Sequence, residues 1–141
     1  MSRKGNCLCK AVSFEITTKV EKTGACHCEM CRTWTGGVYL GIEVPSDGLV
    51  INGAENVKTY TSSPWAERSF CGSCGSNLWY RVTAEGPYQG TYHLGMGALE
   101  DTSGIALTEE IYIDSKPEGY SFAEDTKKMT KAEVEAMFAS L

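Results

Sequence analysis

The stretch Phe70-Cys71-Gly72-Ser73-Cys74-Gly75 has the form of a metal-binding turn. Two cysteines separated by two residues in a tight turn can reach one ion. The glycine after the second cysteine allows a positive φ and leaves backbone amides facing the sulfurs. Zinc prefers four ligands in a tetrahedron, with Zn–S distances of ~2.3 Å. The turn therefore supplies two ligands of a zinc site and needs two more.

Two further clusters hold the other five cysteines. Gly5-Asn6-Cys7-Leu8-Cys9 supplies a pair, and Cys26-His27-Cys28-Glu29-Met30-Cys31 supplies a trio. If this pair combines with the pair of the turn, the result is a closed four-thiolate site formed by Cys7, Cys9, Cys71 and Cys74. The trio of Cys26, Cys28 and Cys31 is then an incomplete tetrahedron. Three protein ligands with one open position are typical of a catalytic zinc, and four are typical of a structural one, so we expect two zinc ions of different roles.

The trio has four alternative interpretations. A single zinc would leave its cysteines buried as small apolar residues. His27 could close the site as a fourth ligand, but it stands between two ligands, so we expect its side chain to point away. Cys28 and Cys31 have the spacing of dithiol oxidoreductases without the βαβ context of that class. Iron is also compatible with thiolate ligands.

Composition limits the class of protein. At 141 residues the chain is expected to be one domain, residues 1–141, with 42% hydrophobic residues available for a core. The formal net charge is −5 and no basic run occurs, which argues against a nucleic-acid partner. No secretory leader or membrane-length apolar stretch is visible, so we expect a cytoplasmic protein that does not bind membranes. Thiols stay reduced there, which favours metal ligands over disulfides.

The hydrophobic pattern predicts a mainly β domain with one C-terminal helix. Ala11–Ile16 alternates apolar and polar residues, as a half-buried strand does. Seven more strands are predicted at Val38–Val44, Leu49–Asn52, Val57–Thr61, Ala66–Phe70, Asn77–Val82, Tyr92–Met96 and Ile111–Ile113. Thr130-Lys131-Ala132-Glu133 has the pattern of a capping box. The apolar residues that follow at helical spacing are Val134, Met137, Phe138 and Leu141. A short helical turn after Cys31 is a further, weaker expectation.

These motifs together resemble the glutathione-dependent formaldehyde-activating (GFA) enzyme family, which includes centromere protein V. The resemblance runs roughly from Gly5 to Phe122. Its first part is Gly5-x-Cys-x-Cys followed by Val12 and Phe14. Its later parts are Cys26-His-Cys-x-x-Cys-Arg32 followed by Gly36 and Gly37, Arg68-x-Phe-Cys-x-x-Cys-Gly-Ser76, and Ile111-Tyr-Ile-Asp-Ser-Lys-Pro117.

The resemblance implies a β-tent of small antiparallel sheets around a zinc knuckle, as in methionine-R-sulfoxide reductases. It assigns Cys7, Cys9, Cys71 and Cys74 to the structural zinc, and Cys26, Cys28 and Cys31 to a second zinc with an exchangeable position. The implied activity is carbon–sulfur bond formation or cleavage on adducts such as S-(hydroxymethyl)glutathione, or on another small thiol conjugate. A non-enzymatic β-tent module that binds a partner protein is the alternative.

Several side chains near the clusters could contact a substrate. Arg32 directly follows the trio and could grip a substrate carboxylate or donate hydrogen bonds to the thiolates, and we include it with the catalytic residues. For Arg68 we favour a surface charge on a strand over a carboxylate contact. Trp34 and Trp65 are interpreted as core residues rather than walls of a cleft. His93 is interpreted as a packed or surface residue rather than a base.

Overall fold

The computed structural model describes residues 2–139, which form eleven strands and two α-helices. The strands are β1 (Arg3–Asn6), β2 (Ser13–Ile16), β3 (Lys22–Cys26), β4 (Tyr39–Val44), β5 (Leu49–Asn52), β6 (Val57–Ser63), β7 (Ala66–Cys71), β8 (Asn77–Val82), β9 (Tyr92–Gly95), β10 (Ala106–Ile111) and β11 (Lys127–Met129). The helices are α1 (Glu29–Thr35) and α2 (Lys131–Ala139), and short 3₁₀ turns cover Ala54–Asn56, Met96–Ala98 and Ile113–Ser115. No helix among these residues is long and apolar enough to cross a membrane.

The strands form two sheets. A three-stranded antiparallel sheet has the order β1-β2-β5, and an eight-stranded sheet has the order β11-β10-β3-β4-β9-β8-β7-β6. The large sheet is antiparallel except that β10 runs parallel to both of its neighbours, β3 and β11. The predicted mainly β fold with a C-terminal helix is confirmed, and the structure adds this parallel end to the large sheet.

Most predicted elements agree with the structure to within two residues. The strand predicted at Ile111–Ile113 is wrong: β10 ends at Ile111, because Tyr112 adopts a left-handed conformation with φ of 54° and a 3₁₀ turn follows. The helical turn near Cys31 is present as α1, but it begins earlier, at Glu29. Strands β1, β3 and β11 were not predicted, since they are short and lack a clear alternation of apolar residues.

The capping box of the C-terminal helix is confirmed. The backbone N–H of Thr130 donates to Oε1 of Glu133 at 3.0 Å, and the N–H of Glu133 donates to Oγ1 of Thr130 at 3.2 Å. Val134 is the buried residue of this helix within its described part. The predicted helical residue Leu141 lies outside the described residues. The cap shows that a local pattern alone was enough to define the start of α2.

The core lies between the small sheet and one face of the large sheet. Its fully buried side chains include Val12, Ile16, Ile42, Leu78 and Leu94. The backbone of β1 packs closely against this core at Gly5, where a Cβ would lie 2.4 Å from the ring of Phe14. Only glycine fits at that position, which explains its place in the Gly5-x-Cys-x-Cys motif.

The opposite face of the large sheet is aromatic and carries the trio. Cys26 pairs with Tyr39 across β3 and β4, and Tyr80 pairs with His93 across β8 and β9. Arg68 of β7 is the partner of Tyr80 on the other side. Since side chains alternate between the two faces of a sheet, the register places these residues on one face, which we call the site face.

Candidate metal centres

The four cysteines of the two pairs meet in one cluster, which we call the tetrad. Their sulfurs all lie within 4.8 Å of one another. Sγ of Cys9 is 3.6 Å from Sγ of Cys7 and 3.8 Å from Sγ of Cys71. Tetrahedral zinc would need sulfur–sulfur distances of about 3.8 Å. The spacing of the tetrad therefore suits a zinc ion, and its all-sulfur donor set is of the kind found in structural sites.

Two tight turns form the tetrad. Cys7 and Cys9 lie in the turn after β1, where the N–H of Lys10 donates to the carbonyl of Cys7. Cys71 ends β7, and the N–H of Gly75 donates back to its carbonyl at 2.8 Å. Gly75 has a φ of 78°, so the role expected for the glycine after the second cysteine is confirmed.

Hydrogen bonds lower the pKa of two tetrad thiols, those of Cys71 and Cys74. The hydroxyl of Ser76 lies 3.2 Å from Sγ of Cys74, and together with nearby backbone amides it lowers the pKa of the Cys74 thiol to about 5. Backbone N–H groups donate to two more sulfurs at 3.4 Å, that of Val12 to Cys7 and that of Ser73 to Cys71. Thiolates are the metal-binding form of cysteine, so the turns prepare these sulfurs for a cation.

The trio forms a second cluster at the start of α1. Its three sulfurs also lie within 4.8 Å of one another. Cys26 ends β3, Cys28 is the N-cap of α1, and Cys31 lies one turn into the helix. The N–H of Cys31 donates to Sγ of Cys28 at 3.3 Å, so a sulfur takes the capping position that serine or aspartate usually fills. The helix thus sets the distance between the second and third cysteines.

The sulfurs of the trio strongly influence one another. Hydrogen bonds from Cys26 and Cys31, with the positive charge of Arg68, lower the pKa of the Cys28 thiol. The Cys26 thiol forms hydrogen bonds with Cys28 and Cys31 and is buried, and these effects raise its pKa. Three thiolates this close repel one another unless a cation lies between them. This crowding, like the spacing, fits a metal-binding cluster.

The trio has no fourth protein ligand among residues 2–139, where no further histidine, cysteine or carboxylate joins the group. His27 is fully buried, and its ring nitrogens bond elsewhere: Nε2 lies 2.8 Å from Oε1 of Glu110 and Nδ1 lies 2.8 Å from the hydroxyl of Tyr120. The expectation that the His27 side chain turns away from the cluster is confirmed. Tetrad and trio therefore differ in the number of ligands, as the division of the cysteines predicted.

Of two cavities in this part of the structure, the smaller one borders the trio. It has a volume of about 70 Å³, touches Cys26 and is walled by Tyr39, Tyr80 and His93. The larger, of about 540 Å³, shares Tyr39 with the smaller one but is lined by Cys7 of the tetrad and by no cysteine of the trio. Cys26 and Cys31 are buried while Cys28 is half-buried. The trio thus borders a small cavity with aromatic walls.

Arg68 lies in this site, and the prediction of a surface charge is wrong. Its side chain is only 6% exposed, and both terminal nitrogens contact Sγ of Cys31, at 3.5 and 3.6 Å. The sequence carries no signal for this position, because burial of Arg68 depends on its pairing with Tyr80. The backbone N–H of Arg32 donates to the carbonyl of Cys28, but within residues 2–139 its side chain makes no hydrogen bond to the trio sulfurs, and its buried Nε has no partner. The contact with a thiolate that was considered for Arg32 is thus made by Arg68.

The three aromatic candidates have different positions. Trp34 is half-buried and packs against the trio, 5.5 Å from the ring of Tyr39. Trp65 is 56% exposed at the β6–β7 turn, so its interpretation as a core residue is wrong. His93 stacks on Tyr80 with ring centres 4.4 Å apart, which confirms that it is a packed residue. Burial lowers the pKa of His93 to about 4, so its ring is neutral near pH 7.

Comparisons with known proteins agree with this geometry. An uncharacterized lyase of Schizosaccharomyces pombe is 34% identical over 131 residues, which is 93% of each chain. A putative glutathione-dependent formaldehyde-activating enzyme of Halomonas elongata is 35% identical over 88 residues, 56% of this chain and 55% of that one. A crystal structure of a Rhodobacter sphaeroides protein has the same fold, with a TM-score of 0.56 at 23% identity over 74% of this chain and 99% of that one.

The family model matches a region that contains every cysteine of both clusters. It is the model described as glutathione-dependent formaldehyde-activating enzyme, and it matches residues 2–115. That region covers β1 to β10, and so both turns of the tetrad and the helix of the trio. With its two cysteine clusters and its mainly β fold, the chain belongs to the glutathione-dependent formaldehyde-activating enzyme family.

Proposed function

We propose that this protein is a zinc-dependent carbon–sulfur lyase or synthase that acts on glutathione adducts such as S-(hydroxymethyl)glutathione, or on another small thiol conjugate. The observation that carries the proposal is the difference between the clusters: four cysteines in the tetrad, but three in the trio beside an aromatic cavity. Family membership supports the reaction class. The protein is proposed to work in the cytoplasm as a single domain over residues 1–141.

Two zinc ions per chain are proposed, and the residues fit them. Cys7, Cys9, Cys71 and Cys74 would hold the structural ion, and Cys26, Cys28 and Cys31 would hold the other. The sulfur spacing supports both sites. When bound at the trio, zinc supplies a Lewis-acidic position that stabilises the thiolate of an incoming thiol.

The remaining residues of the site bind the substrate and exclude water. The aromatic walls of Tyr39 and Tyr80 lower the polarity around the trio, which strengthens every charge interaction there. The cavity of about 540 Å³, which adjoins this region at Tyr39, falls within the range of small-molecule sites and has room for the remainder of a tripeptide thiol. Arg32, whose buried Nε has no partner, is proposed to bind a carboxylate of that substrate.

An exchange measurement tests the reaction. Glutathione adds to formaldehyde to give S-(hydroxymethyl)glutathione with no other reactant, so ¹³C-formaldehyde and glutathione at equilibrium exchange label at a rate that NMR can measure. We expect the wild-type protein to accelerate this exchange and Cys28→Ser to abolish the acceleration. Glu29→Gln, a change at the exposed neighbouring residue, is the matched control and should keep the wild-type rate.

This exchange measurement, together with mild oxidation and zinc analysis, separates the alternatives. Exchange that is no faster than without protein would reject the enzyme in favour of a non-catalytic zinc module. Loss of metal together with a Cys28–Cys31 disulfide under mild oxidation would instead support a redox protein. One zinc ion per chain that survives Cys26→Ser would reject the division into tetrad and trio.

A further inference from the structure

The surroundings of Arg68 are unusual for a strand arginine. Its guanidinium carbon lies 5.0 Å from the ring centre of Trp34 and 5.3 Å from that of Tyr80, so aromatic rings hold the group in place. Both terminal nitrogens reach the same atom, Sγ of Cys31, and Nε is buried without a partner. The cation is therefore fixed in direction, with its fork towards the trio.

Arg68 has no carboxylate partner in the part of the chain that the structure describes. Among residues 2–139 no ion pair joins it to an aspartate or glutamate. A buried guanidinium without a counter-charge is costly, since desolvation strongly disfavours an isolated charge. The sulfur of Cys31 is the atom that can supply the negative charge. The position of the Arg68 guanidinium therefore suits a trio whose cysteines are thiolates.

A charge argument extends this to the ligand that completes the trio. Three thiolates and one divalent zinc carry a net charge of −1. A thiolate that joins them makes the net charge −2, whereas a neutral ligand leaves it at −1. The positive charge of Arg68, fixed next to Cys31 in a site of low polarity, offsets the added repulsion between thiolates. The same charge has little effect on the binding of a neutral ligand.

We propose that Arg68 is a positioning residue that makes the trio selective for an anionic sulfur over neutral ligands. This rests on the proposed function, because it requires a metal ion at the trio. On this proposal, the preference for thiol substrates comes from the positive charge of Arg68, which acts through Cys31, and not from the metal alone.

Cobalt(II)-substituted protein tests the proposal without an activity assay. The absorption change when 2-mercaptoethanol or imidazole is added reports ligand binding at the trio, because the tetrad has no free position. We expect Arg68→Met to weaken 2-mercaptoethanol binding about tenfold or more, within the range seen when outer contacts of metal ligands are removed. Imidazole affinity should change by less than about twofold, since that ligand is neutral.

Arg81 offers a matched control. It lies on the neighbouring strand β8, 4.4 Å from the ring of Tyr92, and donates from Nε to the carbonyl of Gly90, away from the trio. Arg81→Met should leave both affinities at the wild-type value. Arg68→Lys keeps the charge and should keep most of the preference for 2-mercaptoethanol. If Arg68→Met does not fold, Arg68→Gln removes the charge while keeping an amide that can donate to Cys31.

Two results would overturn the inference. Equal losses of 2-mercaptoethanol and imidazole affinity would mean that Arg68 only maintains the shape of the site, and no loss of either would mean that its charge has no role. Wild-type protein that takes up one cobalt ion, at the tetrad alone, would reject the proposed function as well. The number of cobalt ions therefore shows which of the two proposals has failed.

Discussion

Nε2 of His27 lies 2.8 Å from Oε1 of Glu110, although 83 residues separate them in the chain. Both side chains are buried. The hydroxyl of Thr126 donates to the other carboxylate oxygen at 2.6 Å, and Tyr120 bonds to the second ring nitrogen of His27. This network ties the loop of the trio to β10 and to the segment that follows it.

Glu110→Ala is expected to destabilise the protein. Burial alone would raise the pKa of the Glu110 carboxyl, but hydrogen bonds from Thr126 and His27 hold it below its ordinary value. Loss of the carboxylate leaves buried donors unsatisfied, so we expect the free energy of unfolding in urea to fall by about 2–3 kcal/mol at pH 7. Because the folded pKa is lowered, this contribution is present above the ordinary pKa of 4.5 and is lost as the pH falls further.

The neighbouring carboxylate provides the control for that prediction. Glu109 is exposed on the same strand, and Glu109→Ala should change the free energy of unfolding by no more than about 0.5 kcal/mol. Equal losses in the two variants would mean that the buried network contributes nothing specific.

The tetrad and the trio should respond differently to the loss of one cysteine. Cys71→Ser removes a proposed ligand of the tetrad, which joins the turn after β1 to the end of β7, so we expect loss of the cooperative thermal transition. Cys28→Ser should reduce the zinc content by one ion per chain and keep that transition. Metal analysis by mass spectrometry and circular dichroism check both. Comparable unfolding in the two variants would contradict the assignment of structural and active sites.

His93→Phe is expected to become more stable relative to wild type as the pH falls. The pKa of His93 is lowered from 6.5 to about 4 by burial, so below pH 6.5 the unfolded chain binds a proton that the folded chain does not. Stability that is fully present above pH 6.5 is lost as the pH falls towards 4. Phenylalanine keeps the stack on Tyr80 and does not titrate.

Unfolding in urea at several pH values measures the difference between His93→Phe and wild type. Acid protonates the cysteine thiolates in both proteins, so their contribution cancels in the comparison. The difference at pH 5 should exceed that at pH 7.5 by up to about 2 kcal/mol. A difference that stays constant between those pH values would argue that His93 titrates normally.

Thr130→Ala should weaken the C-terminal helix without affecting the metal sites. The hydroxyl of Thr130 accepts a hydrogen bond from the N–H of Glu133, and loss of a helix cap costs about 1 kcal/mol. Amide exchange in α2 should become faster, while the zinc content stays unchanged. Thr130→Ser keeps the cap and serves as the control; if it accelerates exchange as much as alanine does, the hydroxyl is not the cause.

Elements defined by neighbouring residues could be predicted from the sequence. Cys71-Gly72-Ser73-Cys74-Gly75 contains within a few residues everything that its turn requires, and the same holds for the capping box at Thr130. Alternation identified β2 because its polar residues face outward. It could not reveal β3, whose buried residues do not alternate, or the parallel position of β10, since pairing over long distances depends on the whole sheet.

The cysteine clusters, the mainly β class and the start of the last helix could be predicted from the chain alone, because spacing within a turn and the period of a strand or helix are local properties. The contact of Arg68 with Cys31, the bond of His27 to Glu110 and the exposure of Trp65 become visible only once the strands are assembled. The physical reason is that an isolated charge or ring has no preferred environment of its own. Its burial depends on the partners that distant strands bring to the same face of the sheet.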